Sequence, residues 1–197
     1  MRKIAAVGCA ALFSILAQAQ IPTGGNVFFG YSYSRGNAFT QNVPPPPTPV
    51  NGSLSMNGWE ASIEGKYLPW IGVVADFDWH YGARNVTPGC AAPACTNRTP
   101  FHLNASRHDL MFGPRASVSV GRYTPFAQFL LGVAHQTDAG GAVSNSDTTL
   151  ATAIGGGLDY KLIKGVAARV QLDSIHTHFF GNGQSDLRFS MGILFRF

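Results

Sequence analysis

The chain has 197 residues and a formal net charge of +4, with 12% of its residues charged and 12% aromatic. A chain of this length builds one domain and little more, and its charged fraction is about half that of an average globular protein. Two of its cations, Arg2 and Lys3, belong to an N-terminal segment that reads as removable; without them the charge is +2 (4 − 2), which gives no case for a nucleic-acid binder.

That segment runs from Arg2 and Lys3 through an apolar stretch, Ile4 to Leu16, to the small-residue site Ala17-Gln18-Ala19. Basic, then apolar, then small is the order of an export signal. The stretch is too short to cross a bilayer as a helix, and no later segment qualifies. Residues 1–19 are therefore expected to be a signal peptide and residues 20–197 a single barrel domain. Cys9 leaves with the signal. Cys90 and Cys95 remain, an even pair in an oxidising compartment, and a disulfide between them is expected. A metal site there lacks further ligands of suitable type and spacing.

Beyond the signal the hydrophobic period is two, the mark of extended strands with one apolar and one polar face. The first strand, about Asn26–Ser34, places Val27, Phe29, Tyr31 and Tyr33 on the apolar side. Arg35–Met56 reads as a polar loop stiffened by Pro44-Pro45-Pro46-Pro47, which forms polyproline II and cannot join a ladder. The second strand, about Asn57–Leu68, sets Trp59, Ala61, Ile63 and Tyr67 against Glu60, Ser62, Glu64 and Lys66. A tight turn at Leu68-Pro69-Trp70 leads into the third, about Ile71–Arg84, where Ile71, Val73, Ala75, Phe77, Trp79 and Tyr81 oppose Asp76, Asp78 and His80.

A long connection, Asn85–Ala105, carries the cysteine pair. The fourth strand, about Ser106–Val120, sets Leu110, Phe112, Ala116 and Val118 against Arg107, Asp109, Arg115 and Ser117. Gly121-Arg122 turns into the fifth, about Tyr123–Gln136, with Ala127, Phe129, Leu131 and Val133 outward and Phe126, Gln128 and Leu130 inward. After a polar loop, Thr137–Asp147, the sixth strand, about Thr149–Tyr160, opposes Leu150, Ile154, Leu158 and Tyr160 to Gly155, Gly157 and Asp159. Lys161–Gly165 turns into the seventh, about Val166–Thr177, where Val166, Ala168, Val170 and Leu172 face away from Arg169, Gln171 and Asp173. The loop Phe179–Asp186 leads to the terminal strand. There Leu187, Phe189, Met191, Ile193, Phe195 and Phe197 share one parity, and Arg188, Ser190, Gly192 and Arg196 the other.

A terminal strand of alternating large apolar residues closing on Phe197 resembles the assembly signal of bacterial outer-membrane β-barrels, carried here by Phe189, Met191, Ile193, Phe195 and Phe197. In pattern and length the mature chain resembles the small barrels of the OmpA/OmpX type. The resemblance implies an all-β fold: an up-and-down antiparallel transmembrane β-barrel of about eight strands, with long extracellular loops and short periplasmic turns. It implies a Gram-negative-type outer membrane, contact with its lipids and lipopolysaccharide, and delivery by the barrel-assembly machinery through the C-terminal strand. Closure leaves no free edge, so a monomer is expected. No peptidoglycan-binding domain is expected after Phe197.

Alternation alone does not choose between a soluble barrel and a membrane barrel. The acids do. Glu60, Glu64, Asp76, Asp78, Asp109, Asp159 and Asp173 all take the polar parity of their strands, while Asp138, Asp147 and Asp186 are read as loop residues. On a strict two-face pleat that segregation has random odds on the order of one in a hundred. A soluble barrel would instead have to pack Trp59, Phe77, Trp79, Phe129 and the terminal phenylalanines into an interior about wide enough for side chains alone.

With lipid outside, the lumen receives Glu60, Glu64, Asp76, Asp78, Asp109, Asp159 and Asp173 together with Lys66, Arg107, Arg115, Arg169, Arg188 and Arg196. In a narrow interior such charges must pair or incur a large desolvation cost. Glu64, Asp76 and Arg169 are expected at mid-height, with Gly132, Gly155 and Gly157 leaving room for long arginines. Asp76, Asp78 and His80, two apart on one face, are read as part of this pairing rather than as a cation site. His176 and His178 lie at the outer rim of the seventh strand. Barrel-type lipid A deacylases place a His and a Ser two apart on a strand, whereas the second position here is His178 and no acid accompanies it. The expected role is therefore structural or surface-interacting and not enzymatic, with no cofactor and a charge-plugged lumen. A narrow gated channel is the alternative, and an outer-leaflet lipid A hydrolase the remoter one.

Overall fold

The period-two pattern is realised as a closed antiparallel barrel of eight strands in sequential order. The computed structural model describes residues 24–38, 52–86, 101–140, 143–179 and 183–197. The strands are β1 (Gly24–Ala38), β2 (Gly52–Leu68), β3 (Ile71–Val86), β4 (Phe101–Ser117), β5 (Tyr123–Gly140), β6 (Val143–Ile163), β7 (Val166–Thr177) and β8 (Gln184–Arg196). The terminal strand β8 pairs with both β7 and β1, so the sheet closes on itself.

One end of the barrel carries tight turns. Pro69-Trp70 joins β2 to β3, Lys164-Gly165 joins β6 to β7, and Gly121-Arg122 reverses the chain after β4. Gly121 (φ 62°) and Gly165 (φ 81°) adopt the left-handed backbone that glycine enters at no steric cost. This is the turn end; the opposite rim is the loop end.

At the loop end the strands run further than alternation predicts. The expected loop Arg35–Met56 gives residues to both neighbours, since β1 reaches Ala38 and β2 starts at Gly52. Asn85–Ala105 is shortened in the same way by β3 and β4. Thr137–Asp147 is largely strand, with β5 and β6 paired as far as Gly140 opposite Val143, and β8 begins at Gln184 within the expected loop Phe179–Asp186. The reason is physical: above the apolar belt both faces meet polar surroundings, so the ladder persists where hydrophobic alternation has ended. At the turn end, β4 stops at Ser117 instead of Val120, and the Lys161–Gly165 turn contracts to Lys164-Gly165. The expected signal segment, the four prolines, Cys90 and Cys95 lie outside the described residues.

The two faces divide as a lipid-solvated barrel requires. Phe29, Phe112, Phe129, Leu131, Val170, Met191 and Phe195 project outward, with Phe129 46% and Phe195 53% exposed, whereas Glu60, Asp76, Asp78, Arg115, Asp173 and Arg188 are buried inside. On β5 the outward apolar run goes from Tyr123 to Val133. Ten steps of about 3.3 Å on a strand tilted about 40° span about 25 Å of height, the apolar band of an outer-membrane barrel. Aromatics cluster along its upper border. Trp59 lies 5.4 Å from Phe77, and Trp79 lies 5.4 Å from Tyr81 and 4.1 Å from His108, ring centroid to centroid.

The interior also holds apolar side chains. Val74, Met111, Leu130, Ala134, Ala151, Ala153, Ile175 and Phe179 form one cluster, and Phe28, Ala167 and Leu194 a second nearer the turn end. They occupy inward positions between the charged residues, so the lumen is a packed core in which ion pairs are embedded.

Candidate functional site in the lumen

The inward charges form a stack of guanidinium-centred groups. Near the loop end Arg107 donates from Nε to Asp109 Oδ1 at 2.8 Å, pairs with Asp186 on β8, and lies 5.6 Å from the Phe179 ring centroid. Asp186 holds this place because it shares the parity of Arg188 and β8 begins before it. The loop assignment for Asp186 is thus corrected. So is that for Asp138, which lies buried on β5 and accepts from Gln136 Nε2 at 3.1 Å.

Arg188 of β8 occupies the centre. Its Nη1 donates to Asp76 Oδ1 at 2.8 Å and to Asp78, and its Nη2 to Asp173 Oδ2 at 2.9 Å. Its Nε lies 3.6 Å from Glu60 Oε2. One guanidinium thereby joins carboxylates from β2, β3 and β7 across the lumen. Neutral groups take up further lone pairs. Gln171 Nε2 donates to Glu60 Oε1 at 2.8 Å, Gln128 Nε2 to Asp173 Oδ1 at 2.7 Å, and Ser190 to Glu60. His80 spans Asp78 at 3.0 Å and Ser32 at 2.9 Å, so the Asp76–Asp78–His80 series is engaged in side-chain pairing.

Toward the turn end, Arg115 Nη1 donates to Glu64 Oε2 at 3.1 Å and its Nε to Gln128 Oε1 at 2.9 Å. Arg169 forms a two-point contact with Asp159, Nε to Oδ1 at 2.7 Å and Nη2 to Oδ2 at 3.1 Å. Arg196 reaches the same Asp159 at 3.2 Å. Lys66 is half-buried and donates to Ser117 Oγ at 2.8 Å instead of joining an ion pair among the described residues. Phe126 lies between two arginines, 4.5 Å from each guanidinium; such cation–π contacts offset part of the cost of burying charge.

Two expectations about height and space are corrected. Asp76 meets the central arginine, but Glu64 and Arg169 sit in the groups near the turn end, Arg169 only three residues beyond the start of β7. Height follows from the partners a side chain meets across the staggered strands, and Glu64 and Arg169 meet groups next to the turns. The inward glycines make room for other groups than arginine. A Cβ at Gly155 would fall 2.1 Å from Asp173 Oδ1, one at Gly157 2.7 Å from the Phe126 ring, and one at Gly132 against the backbone of β4.

The outer face holds an arrangement that spacing along one strand did not reveal. His176 and Ser185 are direct partners across β7 and β8, and Ser185 Oγ lies 3.0 Å from His176 Nδ1, both exposed. Among the described residues no carboxylate hydrogen-bonds to His176. His108 and His135 are likewise cross-strand partners on the outer face, their rings 6.4 Å apart. The assembly-signal positions Phe189, Met191, Ile193, Phe195 and Phe197 all project outward.

No family model matches the chain, and no curated protein sequence matches it. Its three-dimensional form does have solved counterparts. The attachment invasion locus protein Ail of Yersinia pestis superposes with a TM-score of 0.54 at 12% identity, covering 88% of this chain and 98% of that one. Neisserial surface protein A gives 0.54 at 12% identity, with 87% and 97% covered. OprG, an outer membrane protein of Pseudomonas aeruginosa, gives 0.56 at 10% identity, with 91% and 98% covered. Identity this low establishes shape and leaves activity open: the chain has the eight-stranded barrel fold of bacterial outer-membrane proteins.

Proposed function

We propose that this protein is an integral outer-membrane barrel with a charge-plugged lumen and a structural or surface-interaction role, exercised through the segments that join its strands at the loop end. The observation that carries the reading is Arg188, tied to carboxylates on β2, β3 and β7. Parting those strands' side chains to open a path would strip a buried guanidinium of its partners, a cost of several kcal/mol. Apolar clusters fill further inward positions, which supports the same reading. Outer-membrane lipids and lipopolysaccharide are its surroundings in this reading, the barrel-assembly machinery its route of insertion, and the closed single chain its functional unit.

Planar-bilayer recording of the refolded protein tests this. A silent baseline is expected; a steady conductance would favour the narrow channel instead. The His176–Ser185 pair is read as a cross-strand hydrogen bond at the membrane border, because a hydrolytic serine needs a base that is itself oriented by a third group. Ser185→Ala is therefore expected to leave the acylation of surrounding lipid A unchanged.

A further inference from the structure

Toward the turn end lies a cavity of about 180 Å³, whose wall includes Glu64, Lys66, Arg115, Asp159, Arg169 and Arg196 beside two phenylalanine rings and several small residues. Its wall bears four cations (Lys66, Arg115, Arg169, Arg196) against two acids (Glu64, Asp159), a balance of +2 (4 − 2). This imbalance is local. Around Arg107 and Arg188 the acids are in excess, so the barrel interior is acidic toward the loop end and basic toward the turn end.

Hydrogen bonding among the side chains of the cavity wall is incomplete on both sides, at atoms that are themselves buried. Arg169 is 2% exposed, two of its nitrogens are engaged by Asp159, and its Nη1 has no partner. A buried guanidinium N–H without an acceptor is costly. The Lys66 ammonium has three protons and one described acceptor, Ser117. Acceptors are left over as well: Glu64 Oε1 and Asn26 Oδ1 are both buried and unpartnered. The site thus has charged donors and spare acceptors together. A fully deprotonated oxyanion such as sulfate can satisfy only the donors, whereas an oxyanion that keeps a proton can satisfy both.

We propose that this cavity is a binding site for a hydrogen phosphate group. Its oxygens accept from the Lys66 ammonium and, once the side chains of the wall turn toward it, from Arg169 Nη1, while its own O–H donates to Glu64 Oε1 or Asn26 Oδ1. The proposal is independent of the surface role above, since a plugged lumen can close over an anion at its lower mouth.

The test is calorimetric titration of the full-length refolded protein with inorganic phosphate, glycerol phosphate and sulfate in a buffer free of other oxyanions. Phosphate is expected to bind with one-to-one saturation and sulfate at least tenfold more weakly. Glycerol phosphate binding alongside inorganic phosphate extends the site to monoesters; binding of the free ion alone limits it to phosphate itself, and either result supports the site. Lys66→Gln removes one charged donor outside the ion-pair stack and should weaken phosphate about tenfold. Glu64→Gln should bring sulfate and phosphate to similar affinity. Absence of saturable phosphate binding, or equal affinity of the parent protein for phosphate and sulfate, overturns the proposal.

Discussion

Replacing Arg188 by Met keeps an unbranched chain of similar bulk and deletes the central guanidinium. In the parent protein that group faces Asp76 at 2.8 Å, Asp173 at 2.9 Å, Glu60 at 3.6 Å, and Asp78. All of them are buried, so the acids left behind cannot turn to bulk water. Removing one member of a buried ion pair costs about 3–5 kcal/mol. Arg188 serves several carboxylates at once, so R188M should fall at the top of that range, about 5 kcal/mol. Arg188→Lys keeps the charge but loses the planar fork that reaches several acids, and should cost about 3 kcal/mol. Urea titration in lipid vesicles, read by the heat-modifiable shift of folded barrel on gels, gives the difference directly. A double-mutant cycle with Asp173→Asn should return a coupling of at least about 1.5 kcal/mol. An R188M cost below about 1 kcal/mol would refute the central role given to this residue.

Other consequences are equally open to measurement. Phe129 projects from the middle of the apolar belt and Val133 from its upper edge, so F129R should destabilise the barrel by about 2–4 kcal/mol and V133R by about 1 kcal/mol or less; equal costs would contradict the belt's placement. At Gly157 an added side chain meets the Phe126 ring and the Val170 carbonyl, so G157V should cost about 1–3 kcal/mol and lower the melting temperature in detergent. Phe197→Ala should slow delivery to the membrane in cells, measured by pulse-labelling, while leaving spontaneous refolding into detergent nearly unchanged. Peptide mapping with and without reductant should find Cys90 and Cys95 joined in exported protein.

Facing and fold were legible in the sequence because a period of two survives wherever one side of a strand meets lipid. Glu60, Glu64, Asp76, Asp78 and Asp173 all declare the inward side on their own strands. The pattern fades where lipid ends. Asp138 and Asp186 looked like loop residues because their outward neighbours are polar too, although continuing the parity of Gln128 and Arg188 would have placed both inside. Partnership was much less legible. Nothing in the spacing of Arg188 says that it meets β2, β3 and β7, since that depends on strand stagger and barrel radius. The amide bridges of Gln128 and Gln171 were hidden for the same reason, as was the pairing of His176 with Ser185, which needs the β7–β8 register. The turn-end cavity arises from an imbalance among residues of five different strands, and no linear pattern records it.

The central claim is that acyl chains solvate the apolar side of the strands and protein encloses the ionised side. Spin labels placed singly at 128, 129, 130 and 131 in a Cys90→Ser, Cys95→Ser background of the refolded protein in lipid vesicles report this most directly. High oxygen accessibility is expected at 129 and 131, with 128 and 130 shielded from both oxygen and a water-soluble nickel complex. High oxygen accessibility at 128 and 130, with 129 and 131 shielded, would contradict the account.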